Sequence, residues 1–287
     1  VLLSQADASI PILHAIVLGI TQGLAEFLPI SSSGHLILVP WLFGWKELTD
    51  PASADLNKTF DVALHVGTFL GAIAYFRRDL LRLAVAGLGS VARRSVRTPD
   101  ERLAWLLLLS SLPGAAAGAL LEDFINEELG RIWLIAVMLI AFGVLLAIAD
   151  RLPSDRGEDG FGLRQALLMG LAQAAALSPG VSRSGVTITA ARFLGFERDA
   201  AARISFLMSI PIIGGAALYS GAGLAADGLP PGTAAAFAWG IVASGVTGIA
   251  AVWLVLRVVR TRSFLPFVVY RVLAGLAVLA VLASPLR

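Results

Sequence analysis

Glu26 and Arg183 each stand inside a long apolar stretch, beside serine-rich sequences that break helices: FLPISSSGH over Phe27 to His35 and LSPGVSRSGVT over Leu177 to Thr187. Pro, Gly and clustered Ser end a helix, and the helix that restarts offers free backbone N–H groups and the positive end of its dipole. Ser31, Ser32, Ser33, Ser182, Ser184 and Thr187 add hydroxyl donors, and the planar guanidinium of Arg183 suits two phosphate oxygens at once. The combination fits a phosphate-bearing anion. Any one hydroxyl, taken alone, reads as a helix cap. Arg183 does not, because a charge at membrane depth costs at least ~2.5 kcal/mol and is kept for function.

Gln22 and Glu26 are four residues apart and share a helix face just before the first break. Glu26 has three roles open to it: a structural ion pair with Arg183, a hold on a divalent cation against phosphate oxygens, or proton transfer. His35 follows Ser32 by three residues, placing an imidazole to relay that hydroxyl's proton or to attack phosphorus itself. His14 and His65 read as structural hydrogen-bonding residues. Asp61 and Arg271 read as charges that pair or snorkel, and Gly19 with Gly23 as a small-residue packing face.

The elements that must position these groups are membrane helices. At 57% hydrophobic and 15% charged over 287 residues, with mean hydropathy +0.82, the chain lacks the roughly 25% charged residues of a soluble domain. This excludes disorder and a nucleic-acid fold, and the absence of cysteine excludes disulfide scaffolds, thiolate metal sites and thiol nucleophiles. Asp7, and no Lys or Arg, precedes the first apolar stretch, so the segment reads as mature structure and not as a secretory leader. Six apolar runs read as spans: Phe60 to Phe76, Leu103 to Leu121, Ile132 to Ala149, Ile204 to Gly221, Ala234 to Leu256 and Phe264 to Ala283. Ser9 to Trp45 and Phe161 to Phe196 are too long for one span and too short for two, and each holds one of the breaks.

Arginines crowd Arg77 to Arg102 and recur at Arg257, Arg260 and Arg262, which reads as cytoplasmic. The acidic Glu122 to Glu128 and the Ala222 to Ala234 segment read as external. Six spans satisfy these anchors if both broken stretches return to the side they entered from, as re-entrant hairpins. A shift of 151 residues superposes Gly19 on Gly170, Gln22 on Gln173, Ser31 on Ser182, Ser33 on Ser184 and Gly34 on Gly185. The expected fold is therefore an all-α polytopic membrane protein, residues 1–287 in one domain. Six transmembrane helices and two re-entrant hairpins form an inverted repeat of residues 9–150 and 161–287, with a polar site at the bilayer midplane.

With these motifs in view, the chain resembles the undecaprenyl-diphosphate phosphatase family, bacterial membrane enzymes associated with bacitracin resistance. The resemblance rests on Gln22 to Glu26 running into FLPISSSGH, on PGVSRSGVT from Pro179 to Thr187, on FDVALHVGT from Phe60 to Thr68 and on FLPFVVYR from Phe264 to Arg271. It implies hydrolysis of the terminal phosphate of a C55 polyprenyl diphosphate with a divalent cation, Mg²⁺ first and Ca²⁺ or Mn²⁺ as alternatives. It also implies a homodimer in the bacterial cytoplasmic membrane with an outward-facing site. Carried over residue by residue, Glu26, Ser32, His35 and Arg183 are the catalytic candidates. Gln22, Ser182 and Ser184 match the same motifs and, with Ser31, Ser33 and Thr187 from the reading of the breaks, are the substrate-binding candidates, and Glu26 with Gln22 are the metal ligands. Where many members carry a second Glu, this chain has Gln22, which leaves one motif carboxylate. The rival is a secondary transporter that flips a polyprenyl phosphate, since inverted repeats with broken helices serve carriers too. An anion carrier has no evident need of a carboxylate, a nucleophile and a base around one phosphate.

Overall fold

A computed structural model describes residues 10–227, 229 and 232–284, without the side chains of residues 121–128 and 219–227. The helices, in chain order, are α1 (Ile12–Phe27), α2 (Ser32–Phe43), the single turn α3 (Lys46–Thr49), α4 (Ala54–Arg93), α5 (Pro99–Glu128), α6 (Ile132–Asp150), α7 (Leu163–Ala175), α8 (Arg183–Phe193), α9 (Arg198–Asp227), α10 (Ala234–Val258) and α11 (Leu265–Leu282). Six of them, α4, α5, α6, α9, α10 and α11, are long and apolar enough to cross a membrane. They contain five of the six runs expected from the sequence, and α11 falls one residue short of the sixth at each end. Large apolar side chains such as Leu88, Leu120, Leu218 and Leu273 stand exposed on the outside, as a lipid-facing surface requires.

The two broken stretches fold as helical hairpins, α1 with α2 and α7 with α8. Leu28 is extended because Pro29 follows it, and this ends α1. Ser31 and Ser182 then restart the chain from the left-handed region, at φ 78° and 74°, and each side chain accepts the backbone N–H three residues on, from Gly34 and Gly185. Positive φ is rare for serine, so its recurrence at matched positions marks one local design used twice. Gly180, at φ +94°, admits no side chain: a Cβ there would lie 2.5 Å from the Ile135 carbonyl oxygen.

Each hairpin leans on a helix of the other half. α1 packs on α10, and α7 on α5, with backbones close enough that a Cβ at Gly19 or Gly170 would lie 2.5 Å from the carbonyl oxygen of Gly240 or Ser110. α6 pairs with α11, and α4 with α9 and α10. The main core, built on Phe27, Phe76, Phe196, Phe206 and Phe264, lies between α4, α8, α9 and α10.

One boundary differs from the sequence reading. The arginine-rich segment from Arg77 is a helix as far as Arg93, because Leu80 and Leu83 continue an apolar face into the core that holds Leu107 and Leu207. At 1.5 Å per residue the 40-residue α4 is about 60 Å long, twice a bilayer's hydrocarbon core. Residues 122–128 prolong α5, and the side chains that carried the acidic signal there lie outside the described residues. So do most side chains of the Ala222 to Ala234 segment, as do residues 1–9 with Asp7.

Candidate active site

The two breaks meet. The Gly180 N–H donates to Ser31 Oγ at 3.0 Å, and Ser184 Oγ donates to the Leu28 carbonyl at 3.1 Å. Arg271 on α11 fastens both from below. Its buried guanidinium donates to the carbonyls of Pro29 (3.0 Å), Gly180 (2.8 Å) and Val181 (2.9 Å) in the tips, and to Leu139 (3.0 Å) and Met138 (3.4 Å) on α6. Arg271, read from the sequence as a charge that pairs or snorkels, is thus buried and paired with backbone carbonyls and does not snorkel. Freed carbonyls of the two breaks, which lipid cannot satisfy, supply three of its acceptors, and α6 supplies the other two.

On the joined tips, Arg183 Nη2 donates to Glu26 Oε1 at 2.8 Å, linking the second break to the first. Glu26 Oε2 accepts Ser32 Oγ at 2.6 Å and Gln22 Nε2 at 2.9 Å. Glu26 is buried, and the Arg183 side chain is only 13% exposed. The other terminal guanidinium nitrogen, Nη1, is buried with no hydrogen-bond partner. A buried donor of a charged group left unpaired costs more than about 1–3 kcal/mol, a cost that an anion in the cavity would relieve. Glu26, Ser32, Ser33, Ser182 and Arg183 line a cavity of about 340 Å³. Its other walls are mostly apolar, from Leu177 on the second break, Val62 on α4, and Ile212, Ile213 and Ala216 on α9, with Gln173 on α7 a polar exception.

The remaining sequence candidates stand behind this surface. Ser31 is buried and caps α2 while tying down Gly180, so it supports the tip and is absent from the cavity wall. Ser184 and Thr187 are fully buried. Ser184 bonds to Leu28, and Thr187 to the Arg183 carbonyl at 2.8 Å and Ser205 Oγ at 2.6 Å. Gln22 touches Glu26 from one turn below. His35 departs furthest from its expected place. Its Nδ1 bonds to the Ser31 carbonyl at 2.7 Å and therefore carries the proton, and its Nε2 faces the Tyr270 hydroxyl at 2.7 Å. With both nitrogens engaged below the tip, it is absent from the cavity wall and makes no bond to Ser32 Oγ.

His65 is the residue the sequence reading set aside. It lines the cavity, with Nε2 3.6 Å from Glu26 Oε2 and Nδ1 bonded to the Asp61 carbonyl at 2.7 Å. A signal for it exists, since Asp61, His65 and Thr68 recur at helical spacing as a polar stripe on an apolar span. Only the packing of α4 against α1 brings that stripe to Glu26. His14, in contrast, stacks on Trp45 and pairs with Glu47, as a structural histidine would.

For a divalent cation the protein offers a partial set. No group of three or more His, Asp and Glu able to hold a metal occurs among the described residues. Glu26 stands at the wall, and Gln22 Oε1 is a buried carbonyl oxygen without a hydrogen-bond partner. Such a set fits a hard cation that takes its other ligands from phosphate and water.

Comparison with known proteins adds a second line of observation. The sequence model of a family described as "Bacitracin resistance protein BacA" matches residues 15–277. An undecaprenyl-diphosphatase of Pelobacter propionicus is 50% identical over 275 residues, covering 95% of this chain and 98% of the relative. One from Geobacter sulfurreducens is 51% identical over 276 residues, 94% and 98% of the two chains, and one from Hahella chejuensis 43% over 263 residues, 92% and 95%.

Proposed function

The chain belongs to the bacitracin resistance protein BacA family, and on that footing we propose that it hydrolyses undecaprenyl diphosphate to undecaprenyl phosphate, recycling a carrier lipid for cell-wall synthesis. It is a multi-pass membrane protein with six helices suited to spanning among the described residues. The observation that carries the reading is the Arg183 guanidinium, half engaged by Glu26 and half unpartnered, at the wall of a cavity whose tips are polar and whose flanks are apolar. A lipid diphosphate has that same division, with an anionic head and a hydrocarbon tail.

In this mechanism Arg183 and the N-termini of α2 and α8 hold the diphosphate oxygens. Ser32, whose proton already bonds to Glu26, turns an oxygen lone pair to the terminal phosphorus and passes that proton to the carboxylate. The bridging oxygen leaves on the lipid monophosphate, and water then clears the seryl phosphate. Positioning and charge neutralisation supply most of the rate, as in phosphoryl transfer generally. Glu26 and Gln22, with phosphate oxygens, would hold a divalent cation, which when bound offsets the charge of the diphosphate.

Residues 9–150 and 161–287 form an inverted repeat with re-entrant hairpins, a reading supported by the matched serine caps and the exchanged packing of α1 on α10 and α7 on α5. The protein is a homodimer of the bacterial cytoplasmic membrane, with the cavity open to the outside.

The test is phosphate release from a polyprenyl diphosphate by detergent-purified protein, with and without chelator, for the parent and Arg183→Ala. Release that needs metal and is lost in the variant is the expected result. A well-folded parent that releases nothing refutes the phosphatase and favours a flippase.

A further inference from the structure

We propose that His65 is a ligand of the catalytic cation, which makes the site one of mixed nitrogen and oxygen donors that takes Mn²⁺ in preference to Mg²⁺. The inference rests on the phosphatase reading and concerns what this chain puts in its cation site, where the motif supplies only one carboxylate.

Three features of His65 carry it. Its Nε2 stands 3.6 Å from Glu26 Oε2, beyond a hydrogen bond, and both groups line the same cavity. Two donors bonded to one ion at about 2.1 Å stand roughly 3.0–3.4 Å apart, so a few tenths of an ångström of inward movement would bring both onto one ion. Its Nδ1 faces a backbone carbonyl, that of Asp61, at 2.7 Å. A carbonyl only accepts, so the proton sits on Nδ1 and the lone pair of the neutral ring is on Nε2, on the Glu26 side. A metal-bound histidine almost always donates its other ring N–H in this way, which fixes the tautomer and the ring plane.

The neighbours fit the same picture. Gln22 now turns Nε2 to Glu26 Oε2 and leaves Oε1 buried without a partner, so a flip of its amide would offer that oxygen to the ion. Arg183 then turns its guanidinium to phosphate oxygens, for which Nη1 already lacks an acceptor, and this leaves Glu26 Oε1 to take the Ser32 proton while Oε2 meets the ion. A set of one carboxylate, one amide oxygen and one imidazole favours Mn²⁺ over Mg²⁺, because Mn²⁺ shares the oxygen preference of Mg²⁺ but, as a first-row transition ion, also accepts a nitrogen donor.

The experiment uses the full chain in detergent, stripped with EDTA and loaded with Mn²⁺, with and without methylenediphosphonate to stand in for the diphosphate head. Electron spin-echo modulation of protein-bound Mn²⁺ reads the ligands without any turnover. In the parent a ¹⁴N modulation from a directly bound imidazole is expected. His65→Leu should abolish that modulation, weaken Mn²⁺ binding at least tenfold, change Mg²⁺ binding less than threefold and leave the unfolding temperature unchanged. Bound Mn²⁺ without nitrogen modulation in the parent, a modulation that survives His65→Leu, or no bound Mn²⁺ under either condition would overturn the proposal. Phosphate release by the parent, measured beside it, separates the outcomes. Release with no nitrogen signal removes His65 alone, whereas no release under Mg²⁺ or Mn²⁺ removes the phosphatase reading itself.

Discussion

Replacing Arg271 with Met should unseat both hairpin tips at once. The guanidinium makes four hydrogen bonds of 3.0 Å or less to the carbonyls of Pro29, Leu139, Gly180 and Val181. A hydrogen bond to a charged group contributes about 1.5–3 kcal/mol, and desolvating a fully buried guanidinium offsets part of that. At roughly 1 kcal/mol net per bond the loss is about 4 kcal/mol, within the 3–5 kcal/mol typical of removing one member of a buried charged network. For a chain of this size that lowers the unfolding temperature by about 8 °C. Activity should fall further than stability suggests, since a shift of ~1 Å at a positioned reacting group costs about 100-fold. Arg271→Lys keeps the charge but concentrates its donors at one point. It cannot span carbonyls from α6 and both breaks, and should recover less than half of either loss. Fluorescence of the six tryptophans on heating and phosphate release by the purified protein are the assays. An Arg271→Met protein within about 2 °C and threefold of the parent in both would refute the idea that this side chain holds the tips.

Arg183→Lys should lower kcat/KM by about 10³ with little change in unfolding temperature, because lysine can still meet Glu26 but offers no planar fork to two phosphate oxygens. Ser32→Ala should abolish labelling of the protein in a rapid quench with labelled substrate and cut kcat by about 10³ or more. Ser31→Ala, one residue away, should keep most of kcat but lose about 1–2 kcal/mol of stability, since Gly34 and Gly180 lose their acceptor. Equal kinetic losses in these two variants would contradict the division between cavity wall and tip frame. Gly180→Ala, forced to φ +94° with its Cβ 2.5 Å from Ile135 O, should fail to accumulate as monodisperse protein on size-exclusion chromatography.

Much of this molecule is written in local sequence. The apolar runs that become α4 to α6 and α9 to α11 are legible because a bilayer demands about 20 apolar residues per crossing. The breaks are legible because Pro29, Pro179 and the serine clusters cannot continue a helix. Glu26, Ser32 and Arg183 stood out as polar groups where apolar ones would be cheaper. Local reading fails where a role depends on direction or partner. Ser31 and Ser32 are adjacent and chemically identical, yet a φ of 78° at Ser31 turns its hydroxyl to two backbone N–H groups and leaves that of Ser32 at the wall beside Glu26. His35 and His65 lie where local reading could not place them for the same reason: Tyr270, 235 residues away in sequence, sits opposite the first, and Glu26 opposite the second. The sequence determined which segments cross the membrane, where the chain breaks and which residue types gather there. Only the tertiary structure decided which of those groups face the cavity, because that depends on how α4, α8 and α11 pack around the two breaks.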